Sequence, residues 1–141
     1  MKNLLWGLVL ALPLAAAAQS DIIVLRPSAK APAEVVEAIK AHVEAKKWVF
    51  MGAHTVKPKQ GEVTLVKLCI PQVGAALWPV GLHVSALLPC GNIGVYAKQG
   101  GTEVAMLHPR YMHLLMPNAE VDSAVALATP QLLEMLDAVT R

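Results

Sequence analysis

Charge is scarce in this 141-residue chain. Only 16% of its residues are Asp, Glu, Lys or Arg, and the formal net charge is +2. A balance this close to neutral excludes the basic stripe that a nucleic-acid surface requires. The few carboxylates form no evident general acid and base pair. Glu37, Glu44 and Glu134 fall on or near solvated helix faces, and Glu62 and Glu103 flank turns. There is no Gly-x-Ser-x-Gly elbow and no His-Glu-x-x-His, which removes two common hydrolase signatures. A phosphate-cradling loop is missing too, because Gly100-Gly101 joins two strands instead of leading into a helix. Two cysteines occur, Cys69 and Cys90, without Cys-x-x-Cys or Cys-x-x-Cys-His, so neither a thioredoxin-type motif nor covalent c-type haem is present. Tight zinc-ligand spacing is absent as well.

What the chain has is apolar content, at 55%. That excludes disorder and, at this length, suits one domain with a sizeable core. The first 18 residues, MKNLLWGLVLALPLAAAA, place Lys2 before an apolar run that ends in Ala16-Ala17-Ala18. This is the pattern of a secretory signal peptide cleaved near Ala18, and the run is short for a membrane span and interrupted by Pro13. The expectation is a periplasmic or secreted protein with no stable membrane anchor, residues 19–141 forming its single domain. An oxidising compartment would permit Cys69 and Cys90 to pair.

Along the remaining chain, Asp21 to Leu25 reads as a strand ended by Arg26-Pro27. Pro32 to Lys47 is helical, with Val35, Val36, Ile39 and Val43 on one face and His42 beside them as a structural histidine. Trp48 to Val56 alternates as a strand, with Trp48, Phe50, His54 and Val56 on one side. The turn Lys57–Gly61 leads to an antiparallel strand Glu62 to Ile70, in which Val66, Leu68 and Ile70 share a face and Lys67 and Cys69 the other. Pro71 opens a short helix that Pro79 ends. Three strands are expected next, Val84 to Leu88, Asn92 to Lys98 and Thr102 to Leu107, the last two joined through Gln99-Gly100-Gly101. Pro109 starts a helical turn to Met116, and Ala119 to Arg141 is helical, divided near Pro130. The order implies an α+β fold: one two-layer domain, a mostly antiparallel sheet with helices on one face.

The stretch from Lys67 through Pro109 carries Cys69-Ile70-Pro71, then Leu88-Pro89-Cys90, then His108-Pro109. In this order the chain resembles the bacterial family called domain of unknown function 302, over most of residues 32–139. The resemblance implies a small α+β fold that tends to form homodimers, and it implies no established reaction. This chain departs from the family at Ile70, where a polar Asn is common, and by an extra Gly91 after Cys90.

Two groups of side chains could carry chemistry. Cys69 sits just before a helix that begins at Pro71, where backbone amides favour a thiolate. With Cys90 it allows a structural disulfide, a reactive or ligand-holding pair, or two inert buried thiols. His83 lies in a glycine-containing loop, where ligand contact is more common than in a core. The second group is Met106, His108, Met112, His113 and Met116, whose thioethers and imidazoles suit copper or haem iron; His108, Met112 and Met116 are spaced by four, so a helix would stack them on one face, and the alternative is that the methionines fill core space. The functional expectation is an exported, non-enzymatic module, homodimeric, holding a small ligand, haem or a metal such as copper. The alternative is a periplasmic thiol/disulfide redox protein working through Cys69 and Cys90.

Overall fold

The computed structural model describes residues 22–88 and 93–141, so the N-terminal segment and Cys90 lie outside the described residues. Five strands are present: β1 (Ile23–Ser28), β2 (Val49–Val56), β3 (Val63–Cys69), β4 (Ile93–Lys98) and β5 (Gly101–Leu107). They form one antiparallel sheet in the order β1-β5-β4-β3-β2. The helices are α1 (Pro32–Ala45), α2 (Pro71–Leu77), α3 (Tyr111–Leu115) and α4 (Ala119–Thr140).

Alternation along the strands builds the core. Val66 and Leu68 of β3, Ile93 and Val95 of β4, and Val104 and Met106 of β5 all point to one face and are buried. Onto that face α1 brings Val35, Ile39 and Val43, and α4 brings Val121, Ala124, Ala128, Leu132, Met135 and Leu136. Each large side chain so buried stabilises the fold by about 1.5–3 kcal/mol. Helices on one face of an antiparallel sheet make this an α+β protein, as the pattern implied. Among the described residues, no element covers the opposite face of the sheet. There Ile23, Val49, Val56 and Leu65 remain 40%, 50%, 43% and 39% exposed.

Several local expectations change. β1 does not stop at Arg26-Pro27. It runs to Ser28 with Pro27 paired to Glu103, which is possible because β1 is an edge strand and Pro27 owes no amide to a further neighbour. In β2 a bulge at Met51 breaks the alternation between Phe50, opposite Leu68, and Gly52, opposite Lys67. Phe50 therefore faces the helices, whereas His54 and Val56 face outward, and the four residues from Trp48 to Val56 do not share one side.

Residues 84–88 form no strand; a 3₁₀ turn, Leu82–Leu87, takes their place. Only Val84 of that turn is buried, so no alternating apolar face exists to hold a strand in register. α3 is shorter than expected, beginning at Tyr111 and leaving His108 and Met116 outside it. α4 runs unbroken through Pro130, whose ring lies on the exposed side. Eight buried residues along α4 outweigh the lost amide bond, which costs about 3 kcal/mol in a helix interior.

Candidate functional site

The β2–β3 and β4–β5 hairpins end near the first turn of α1. Between Pro32 of α1, the turn Pro58–Glu62 and the adjoining parts of β3 and β4 lies a groove of about 630 Å³. Pro32, Pro58, Val63, Val95 and Ala97 give it an apolar lining, with Tyr96 as its one aromatic ring. Gln60 and Glu62 supply polar groups from the exposed turn, and Glu62 is ion-paired to Lys57 at 3.0 Å. Thr64 also lines the groove, but its hydroxyl is engaged by that of Thr55 at 3.2 Å. A second depression, of about 620 Å³, adjoins it and shares Pro32 and Ala97.

Tyr96 belongs to a polar cluster. Its hydroxyl donates to Oε1 of Glu103 at 2.5 Å, and Lys98 Nζ donates to both oxygens of Glu103 at 2.7 and 2.8 Å. The Glu103 side chain is only 13% exposed. Hydrogen bonds from Lys98 and Tyr96 hold its carboxyl below the ordinary range, and burial opposes them. Burial, then the bond to Glu103, pushes the Tyr96 phenol up to about 12, so it stays a donor at neutral pH. This cluster corrects the reading of Glu103 as a wet turn charge. The missed signal is the turn itself. With Gln99 and Gly100 as the two loop residues, Lys98 pairs with Gly101 and Tyr96 must face Glu103.

Among the described residues, the side chains singled out from sequence lie on several different elements. Cys69 ends β3 on the uncovered face, opposite Val49 and half-buried. Pro71 is the first residue of α2, as expected, so Cys69 does stand just before a helix. Cys90 falls outside the described residues, as does any relation between the two thiols. His83 is exposed in the 3₁₀ turn Leu82–Leu87.

Met106 lies in the core on the inward face of β5, 3% exposed, and Met112 of α3 is fully buried. His108 is half-buried; its Nδ1 accepts the amide of Arg110 at 3.1 Å, and burial followed by the Arg110 charge holds its pKa below the usual imidazole value. His113 is on the surface with its Nδ1 2.5 Å from Asp122 Oδ1. His108 and Met116 are not helical, so the stacking of His108, Met112 and Met116 on one helix face does not occur. Among the described residues, no three His, Cys, Asp or Glu side chains gather in a way that could hold a metal ion. No helix among them is long and apolar enough to cross a membrane.

The fold and its groove define a small two-layer α+β domain in which the described helices cover one face of the sheet. The chain belongs to the family described as domain of unknown function DUF302, which matches residues 25–139. Among curated proteins none matches it. Of solved structures, it is similar to the crystal structure of an uncharacterized conserved DUF302 protein from Bacillus stearothermophilus, with a TM-score of 0.74 and 18% identity. That likeness covers 86% of this chain and 100% of the other, and at such identity it speaks to the fold alone.

Proposed function

We propose that this protein is an exported, non-enzymatic module that binds a small, largely apolar molecule in the groove between α1 and the β2–β3 turn. The observation that carries this reading is the composition of the groove: five apolar residues and one aromatic ring, with no His, Cys, Ser or Lys among the described residues that line it. Its volume of about 630 Å³ falls in the range of small-molecule sites. The ligand's apolar body would lie against Pro32, Pro58 and Ala97. A polar end would meet the Gln60 amide or the lone pairs of the Tyr96 hydroxyl. A haem or copper version of the same module has less support, since the thioethers of Met106 and Met112 are packed in the core.

The test is native mass spectrometry of protein purified from its own host, beside titration with the neutral apolar fluorophore N-phenyl-1-naphthylamine. An Ala97→Trp variant places a large side chain in the groove at an exposed position. The expected result is a bound small molecule, or saturable fluorophore binding, that Ala97→Trp weakens at least tenfold. Equal binding by both proteins would overturn the site, and bound copper or haem would overturn the ligand class.

A second reading concerns assembly, and the uncovered sheet face favours it. Ile23, Val49, Val56 and Leu65 are exposed on that one face, a concentration of apolar surface that commonly marks an interface. A second copy of this chain, packing sheet to sheet, would cover it. Light scattering should then find a dimer that Leu65→Lys converts to monomer; a wild-type monomer at high micromolar concentration rejects this reading.

A further inference from the structure

At the end of α1 farthest from the groove, the helix stops against Trp48, whose amide donates to the carbonyl of Val43 at 2.9 Å. His42 stands at this junction, and its ring meets the Trp48 ring edge-on with centroids 5.6 Å apart. The residue as a whole is half-buried, yet its Nε2 is sealed from solvent and has no hydrogen-bond partner among the described residues. A neutral imidazole tolerates this with Nε2 as a bare acceptor. Protonation would place an N–H and a positive charge where no acceptor stands.

Two charged groups act on the ring. Lys46, one turn on in the chain, opposes a positive charge on His42, and Glu134 of α4 favours one. These two are themselves paired, Lys46 Nζ to Glu134 Oε1 at 3.0 Å, so Glu134 is already engaged. The strands beneath α1 turn only uncharged residues toward it: Phe50, Ala53 and Thr55 of β2, Thr64, Val66 and Leu68 of β3, Ile93, Val95 and Ala97 of β4, and Thr102, Val104 and Met106 of β5. In keeping with this setting, burial first and Lys46 second hold the His42 pKa below the usual imidazole value, with Glu134 pulling the other way.

We propose that His42 is a pH-sensitive pin at the α1–β2 junction: neutral, it seats Trp48 and the last turn of α1, and protonated, it releases them. The sign follows from linkage. A histidine whose folded pKa is depressed contributes stability that is full above its unfolded pKa, about 6.5, and that is lost as the pH falls toward the folded value. Acid therefore loosens this end of the helix layer while the groove, at the other end of α1, is not directly touched.

The experiment follows Trp48 emission between pH 8 and 4.5 in the full chain carrying Trp6→Phe and Trp78→Phe, which leaves Trp48 as the lone tryptophan. A reversible red shift with a midpoint below 6.5 is expected. Lys46→Met, which removes the opposing cation and frees Glu134, should raise that midpoint. His42→Phe, which keeps a ring against Trp48, should flatten the response. An unchanged emission across the range, or the same transition in His42→Phe, would overturn the proposal. Should His42→Phe fail to fold, NMR of the unsubstituted chain decides: the His42 ring and the Trp48 indole N–H must titrate with one midpoint, and two separate midpoints refute the pin.

Discussion

A β-carbon placed on Gly101 would lie 2.4 Å from the carbonyl oxygen of Ser28 and 3.6 Å from the Cα of Ala29. Gly101 opens β5, and β1 passes so close beside it that only a hydrogen fits. The obstacle is backbone, which has no rotamer to change. Gly101→Ala should therefore destabilise the protein by about 2–3 kcal/mol, at the upper end of what overpacking costs. Urea denaturation checks this: the midpoint should fall while the slope stays constant. A wild-type midpoint would mean that the β1–β5 contact yields easily.

Glu103 offers a spectroscopic prediction. Replacing it by Gln exchanges the charged carboxylate acceptor for a neutral amide oxygen, and with burial it is that charged acceptor that raises the Tyr96 phenol to about 12. Absorbance at alkaline pH should show one tyrosine titrating lower in Glu103→Gln than in the parent. The carboxyl of Glu103 is held below its ordinary value, so its stabilising effect is present above the unfolded carboxyl range and is lost as the pH falls through the folded value. Glu103→Gln should accordingly flatten part of the acid limb of a stability profile. An unchanged tyrosine titration would remove Glu103 from the cluster.

The Met/His segment separates core from surface by stability alone. Met112 is fully buried and His113 is exposed. Met112→Ala should cost about 2–5 kcal/mol in thermal or urea unfolding, as for other large core side chains. His113→Ala removes only an exposed contact with Asp122 and should cost no more than about 1 kcal/mol. Comparable losses from both would argue that the segment acts as a unit, as a bound metal would make it.

Pro130 sits inside α4 with its ring exposed, and it leaves the carbonyl of Ala126 without its helical donor. Pro130→Ala restores that amide. Calorimetry should show a higher Tm, with a gain of about 1–3 kcal/mol at most, since proline also limits the unfolded chain. A lower Tm would show that the packing of α4 on α2 depends on the proline.

Much of this architecture was legible from residue order. The alternation of Val66, Leu68 and Ile70 against Lys67 and Cys69 places β3 correctly, and the spacing of Val35, Ile39 and Val43 gives the buried stripe of α1. Pro32 and Pro71 mark the first helical residues, because a residue without an amide hydrogen costs nothing there. These features depend on neighbours within about one turn or one hairpin. The bulge at Met51 was not legible. One extra residue leaves the local apolar pattern intact and is revealed only by pairing with β3, yet it decides that His54 faces outward.

Sequence by itself thus determined the α+β class, the inward face of β3, the buried stripe of α1 and the helix starts at Pro32 and Pro71, though not one at Pro109. Tertiary structure alone decided which polar and soft groups stay dry. Met106 and Met112 have the chemistry of metal ligands but are packed in the core, Glu103 has the composition of a turn charge but is held between Lys98 and Tyr96, and the groove arises where Pro32 of α1 meets the turn before β3 and the end of β4. The reason is physical. Hydrophobic periodicity is a property of a single segment, whereas burial and hydrogen bonding depend on what distant segments set beside a side chain.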